Sequence, residues 1–364
     1  MTTTGTLAGT GLPWQMAFAL AVTFATALAA SLALTPLAAR WSRAVGLVDT
    51  PRPGEVQRVA TPRAGGHGIY LAFCAAVLLS LALAPRAPAE AGRIAGLLLG
   101  VALLVPFAVW DDFKRLGALP QLLAQILVAL VPVAFGVIIN SVSNPFAPPP
   151  FGGLILLPPW FAVPATVAWL VLMMNSMNWL DTMDGLAGGV GAIASIILFL
   201  VSISLSQGTI ALLPLALAGA CLGFVPYNFN PARVFMGTTG SMFLGYALGV
   251  IAIIGGAKIA STVLVLGVPV VDALLVIVQR SLAGRHPWRG GDNAHLVHGL
   301  LGIGLTQRKI ALLVYAICAL FGWLATSLIR TEKFYAFGAL AVVLGALIFY
   351  VRLRGHNTRA TVRT

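Results

Sequence analysis

Apolar stretches of about 20 residues, each long enough to cross a bilayer as a helix, recur along almost the whole of this chain. They lie at 13–39, 64–84, 94–110, 121–139, 160–180, 187–206, 209–228, 241–257, 261–281, 308–328 and 333–352. A soluble protein that buried so many helices would need far more polar surface. Here 59% of residues are hydrophobic and only 9% charged, and the mean hydropathy is +0.96. The expectation is an all-α, polytopic integral membrane protein of about 11 (10–11) transmembrane helices, forming a single domain over residues 1–364. There is no repeat of fixed period, and no paired broken half-helices suggest an inverted-repeat transporter.

Basic residues set the expected orientation. If the N-terminus is outside, the outward segments carry only Arg86, Arg93, Lys258, Arg330 and Lys333, and the other 17 of the 22 Lys and Arg face inward. The positive-inside rule then places the C-terminus, with its basic tail 353–364, in the cytoplasm of a plasma-membrane protein. The first span is expected to be retained, because residues 1–12 hold no Lys or Arg. The inward loops 40–63, 111–120 and 282–307 are long or polar enough to carry function. The uncharged, Pro-rich outward loop 140–159 reads as a rigid cap or short hairpin. The net charge of +12 follows mostly from topology, and no basic stripe interleaved with aromatics points to nucleic acid. Cys74, Cys221 and Cys318 all fall inside apolar spans, where cysteine acts as a small hydrophobe.

Only ten acidic residues serve the chain, and four of them cluster where apolar stretches meet polar sequence. Asp111 and Asp112 end the third stretch. Asn175, Asn178, Asp181 and Asp184 recur every third residue at the end of the fifth and lead into Gly185. Carboxylates beside lipid are costly, so they mark functional sites unless they merely cap helices. Adjacent acids and amides suit a divalent cation and a phosphorylated substrate. The turn Phe235-Met-Gly237-Thr-Thr-Gly240-Ser241 opens the eighth span, where a helix N-terminus offers N–H groups to phosphate. Asp292-Asn-Ala-His295-Leu-Val-His298 places two histidines in a basic loop.

In order and spacing these segments resemble the polyprenyl-phosphate N-acetylhexosamine-1-phosphate transferases, the family of WecA, TagO and MraY (glycosyltransferase family 4), over roughly residues 40–310. Asp49-Thr-Pro51, Thr61-Pro-Arg63-Ala-Gly65-Gly66, Pro269 and Asp272 fit the same pattern. The histidine loop is closer to the WecA and TagO branch, which implies a UDP-N-acetylglucosamine-like donor. The resemblance implies a Mg²⁺-dependent reaction, with Mn²⁺ as an alternative ion. In it a membrane polyprenyl phosphate attacks the β-phosphorus of a UDP-N-acetylhexosamine at the cytoplasmic face and UMP is released, starting assembly of a cell-wall or surface polysaccharide. It further implies catalytic roles for Asp111, Asp112 and Asp184, with Asp111 or Asp112 deprotonating the lipid phosphate. Asp181 and Asp184 are expected at the metal, Asn175, Asn178, Arg63, His295 and His298 on substrate, and the protein as a homodimer.

The chain also departs from that pattern. Thr238 stands where the family has its metal-binding Asp, and Mg²⁺ prefers anionic oxygen. Gly54-Glu55-Val-Gln57 replaces Arg-Lys-x-His, Val297 replaces the middle histidine, and Gly299 and Gln121 replace basic residues. Two readings stay open: an active transferase with rearranged ligands, or a catalytically degenerate homologue that binds polyprenyl phosphate or a partner. A transporter is a third class, one that would place its charges at the bilayer midplane rather than at one interface.

Overall fold

The computed structural model describes residues 13–50, 59–144, 153–256, 259–282, 284 and 296–361. Its elements run α1 (Trp14–Ala44), β1 (Val48–Asp49), β2 (Thr61–Pro62), α2 (Gly66–Leu83), α3 (Pro88–Lys114), α4 (Ala118–Ala134), β3 (Ser141–Ser143) and β4 (Leu154–Leu156). They continue α5 (Pro159–Leu180), α6 (Leu186–Ser204), α7 (Gly208–Asn228), α8 (Gly237–Ile254), α9 (Ile259–Val265), α10 (Gly267–Leu282), α11 (Leu296–Gly302), α12 (Gln307–Ser327) and α13 (Arg330–Thr361). Among the described residues nine helices are long and apolar enough to cross a membrane, or ten if the bent pair α9–α10 is one span. With the shorter apolar helix α4, each apolar stretch of the sequence coincides with a helix or with that pair, and the chain is an all-α, multi-pass membrane protein.

Most boundaries shift by a few residues, and α13 runs on to Thr361, through most of the tail expected at 353–364. Two differences have plain physical reasons. Helix α3 extends beyond 94–110 at both ends, because Pro88 at its first position supplies a pre-set φ and polar end residues dilute the hydropathy. The ninth stretch, expected as one span, is broken: α9 and α10 meet at 84°. Pro269 explains the break, since it has no N–H to give the preceding turn and its ring excludes a continuous helix.

Helix α8 is the axis of the fold, with all of its residues buried. It packs on α5, α3 and α2, while α1 lies against α7 and α2, and α6 lies against α7 and α12. Without a hydrophobic drive between helices in lipid, close approach at small residues does much of the work. A Cβ on Gly245 would sit 2.2 Å from the Met173 carbonyl oxygen, and one on Gly66 would sit 2.3 Å from the Gly240 Cα. Large apolar side chains such as Leu71, Leu78, Leu99 and Leu103 point outward instead, as a lipid-facing surface requires.

Two antiparallel pairs mark opposite ends of the bundle. At one end β3 pairs with β4, Val142 opposite Ile155, so the expected cap at 140–159 contains a short hairpin ladder. At the other, β1 pairs with β2, Asp49 opposite Thr61. This second pair lies between α1 and α2 in the chain and sets the segment after it against the head of α8, with the acidic clusters beside it.

Candidate active site

The segment after β2 is fastened to the turn before α8 by backbone hydrogen bonds. Phe235 N–H donates to Pro62 O (2.8 Å), Gly65 N–H to Phe235 O (2.9 Å) and Gly66 N–H to Met236 O (2.9 Å). Gly237 adopts φ +74°, and a Cβ there would meet the Arg63 carbonyl oxygen at 2.3 Å, so only glycine fits. Arg63 is thereby fixed beside the first turn of α8.

Asp112, near the end of α3, projects into that same turn. Its carboxylate accepts from Thr238 N–H (2.8 Å), Thr239 N–H (3.0 Å) and the Thr239 hydroxyl (2.7 Å), and the Arg63 guanidinium stands 3.7 Å away. The Gly-rich turn therefore offers its N–H groups to a carboxylate of the protein itself, where the sequence suggested a phosphate. Asp112 caps α8 from another helix, satisfying donors that a helix start leaves open. Asp111 Oδ1 accepts from Leu116 N–H (2.9 Å) and from the Gln121 amide (2.8 Å); Oδ2 makes no hydrogen bond with a described residue.

The ridge at the end of α5 divides along its length. Asn175 donates to Gln125 Oε1 (2.7 Å) and to Val171 O (2.8 Å), which ties it to α4 and occupies both of its N–H groups. Asn178 accepts from the Ser241 hydroxyl (2.8 Å), and its amide nitrogen makes no hydrogen bond with a described residue. Asp184 Oδ2 accepts from the Asn230 amide (2.9 Å) and Ala232 N–H (3.0 Å). Asn230 also donates to Gln307, and Arg308 donates to the Asn230 carbonyl, so the start of α12 braces this carboxylate.

Asp181, just past α5, is treated differently. No donor among the described residues meets its carboxylate. It lies within electrostatic range of Arg63, Asp112 and Asp184, and desolvation raises its pKa well above the ordinary 3.8, with the two neighbouring carboxylates adding to the rise and Arg63 opposing it. An under-donated carboxylate beside two others is a net negative site, and this fits a divalent cation. Among the described residues no group of three acidic, histidine or cysteine side chains is placed to hold a metal ion. An ion here would have to draw on one or two carboxylates together with substrate phosphate oxygens, the way Mg²⁺ is commonly held.

Further along the chain, Asp272 Oδ1 on α10 accepts from Leu296 N–H (2.8 Å) and so anchors α11, which carries half-buried His298, to α10. His295, Asp292 and Gly54–Gln57 lie outside the described residues. Sequence reasoning missed Asn228, whose amide oxygen accepts from Gly185 N–H (3.0 Å), along with Asn230 and Arg280, whose guanidinium lies 5.8 Å from the Trp179 ring centroid. Asn228 and Asn230 carried a readable signal, being polar residues at the close of an apolar stretch just before the Gly-rich turn.

Comparison with known proteins places this arrangement. A family model described as glycosyl transferase family 4 matches residues 94–256, which hold both acidic clusters and the turn into α8. The Bacillus subtilis (strain 168) protein named "Probable undecaprenyl-phosphate N-acetylglucosaminyl 1-phosphate transferase" is 32% identical over 307 residues, covering 82% of each chain. The decaprenyl-phosphate N-acetylglucosaminephosphotransferase of Mycolicibacterium smegmatis is 32% identical over 378 residues, 93% of this chain and 91% of its own. The phospho-N-acetylmuramoyl-pentapeptide-transferase of Desulforudis audaxviator is 32% identical over 283 residues, 72% of this chain and 82% of its own. Likeness sustained across so much of both sequences is not a shared motif but common descent, and the chain belongs to glycosyl transferase family 4.

Proposed function

We propose that this protein transfers an N-acetylhexosamine 1-phosphate, of the N-acetylglucosamine type, from a UDP-sugar to membrane polyprenyl phosphate at the cytoplasmic face. The observation that carries the reading is Asp181: a carboxylate that meets no donor among the described residues and lies within electrostatic range of Asp112, Asp184 and Arg63, in a chain whose relatives are named for this transfer. The excess of basic residues on the same side supports a cytoplasmic site.

In the reaction a lipid phosphate oxygen forms a bond to the β-phosphorus, the bond to the α-phosphate breaks, and UMP departs. Asp181 and Asp184 would hold Mg²⁺, which when bound neutralises charge on the two phosphate groups brought together. Arg63, only loosely engaged by Asp112, has donors left for diphosphate oxygens. Asn178, its carbonyl oxygen fixed by Ser241, turns its amide donors to the same anion. Asp111 Oδ2 takes the proton when the lipid phosphate arrives protonated. His298, set by the Asp272 anchor, and His295 meet the donor.

Purified protein with Mg²⁺, undecaprenyl phosphate and UDP-N-acetylglucosamine is expected to release UMP. A second reading, binding without turnover, is favoured by uncharged Thr238 and by the engagement of the α8 N–H groups with Asp112. Bound lipid phosphate with no UMP from any UDP-N-acetylhexosamine would decide for that second reading.

A further inference from the structure

The end of the bundle away from the aspartates holds a cavity of about 190 Å³ between α3, the segment after α4, and the junction of α8 with α9. Val137, Ile253, Ile254 and Ile259 form apolar walls, and Arg93, Asn140 and Ser141 bring polar groups to the same space. No side-chain hydrogen bond joins Asn140 or Ser141 to a described residue.

Arg93 is the feature that calls for a ligand. An arginine near a span end ordinarily finds water or a carboxylate. Its nearest acid on the helix, Glu90, is already engaged, accepting from Arg86 (2.6 Å) and from the Thr209 hydroxyl (3.0 Å). Arg86 is itself held through its two terminal nitrogens by Glu90, the Thr209 carbonyl and Ser80. Arg93 makes no ion pair or side-chain hydrogen bond with any described residue, although a guanidinium carries five donors and stays charged. It sits in the second turn of α3, towards the positive end of that helix. The carbonyls of Ile251 and Ile253 at the end of α8 accept from Gly255 and Gly256. The site is thus cationic, rich in donors, walled by isoleucine and valine, and placed where membrane-spanning helices end.

We propose that this cavity binds the phosphate of an anionic glycerophospholipid from the leaflet opposite the aspartate clusters. Arg93 pairs with the phosphate, Asn140 and Ser141 donate to its oxygens, and the apolar walls receive the start of an acyl chain. A free phosphate would use the same donors but would leave the isoleucines without a partner, and this favours the lipid.

The test uses the full chain, stripped of lipid in detergent and titrated separately with short-chain phosphatidylglycerol, phosphatidylcholine of the same chain length, and inorganic phosphate. Thermal unfolding reports stabilisation, and native mass spectrometry reports retained lipid. Phosphatidylglycerol is expected to raise the unfolding midpoint and remain bound. Arg93→Gln is expected to weaken its apparent affinity about tenfold, the loss of one charge-assisted contact. Arg93→Lys, which keeps the charge, is expected to recover part of the response, separating lost binding from lost folding. Equal phosphatidylglycerol binding by wild type and Arg93→Gln would overturn the proposal. So would equal protection by phosphatidylcholine, or protection by inorganic phosphate that acyl chains do not improve.

Discussion

Asp112 and Asp181 are the same residue type at the same end of one helix bundle, close enough to influence each other's charge, yet the fold surrounds them in opposite ways. Asp112 receives two backbone N–H groups and a hydroxyl from the first turn of α8. Asp181 receives no donor among the described residues, and two neighbouring carboxylates lie within electrostatic range. A carboxylate whose donors come from the protein holds the architecture together, because removing it strands buried N–H groups. One whose donors are withheld is unfavourable by itself and becomes favourable when a cation or phosphate-bound ligand arrives. The contrast separates a joint from a site within a single acidic patch.

The most direct way to break the contrast is through turnover. Asp181→Asn keeps the shape and removes the charge. It is expected to lower UMP release about a thousandfold, ~4 kcal/mol of transition-state stabilisation, while leaving thermal stability equal to or above wild type. Near-wild-type turnover in that variant would remove Asp181 from the site.

Asp112→Ala probes the other side of the comparison. Three donors lose a charged acceptor in a buried turn, and the expected cost is about 3 kcal/mol of folding stability, read as a lower unfolding midpoint. If Asp112→Ala and Asp181→Asn destabilised the protein equally, the division of labour would collapse.

A smaller effect is expected at Asn230, which touches Asp184 but lies behind it. Asn230→Ala removes one of the two donors to Asp184 Oδ2 and the link to Gln307. Turnover is expected to fall about tenfold, with the Mg²⁺ requirement shifted to higher concentration. Loss of turnover with an unchanged Mg²⁺ dependence would show that Asn230 acts on something other than Asp184.

Much of this was legible in the chain, and what was hidden has identifiable causes. The spans announced themselves because lipid demands about 20 apolar residues in a row, and the acids stood out against that background. The pairing of Asp112 with α8 spans 126 positions, and no local pattern encodes a cap delivered from that far away. Strands β1 and β2 have two residues each, too few to leave an alternation. The break at Leu266, three residues before Pro269, was visible as residues but was averaged away by a window as long as a span. Spacing by three along α5 implies a slowly winding ridge. Three residues advance a helix by about 300°, so each step drifts about 60°, and Asn175 ends on Gln125 while Asn178 ends on Ser241; which neighbour each would meet was not legible.

The smallest expected effect sharpens the comparison through pH. Asp181 lies just outside α5, and its pKa in the folded protein is raised above 3.8 by desolvation first and by Asp112 and Asp184 next. A group so raised binds more protons folded than unfolded between the two pKa values. The stability associated with its protonation is therefore complete below the unfolded value and is lost as pH climbs through the folded one. Without divalent cations, unfolding midpoints are expected to decline as pH rises through that window, and Mg²⁺ is expected to offset the decline because the ion compensates the charge being formed. Asp181→Asn, which does not titrate, should flatten the profile and abolish the Mg²⁺ effect. An unchanged slope in that variant would mean that the protons are taken up elsewhere, and Asp181 would then differ from Asp112 in hydrogen bonding but not in charge.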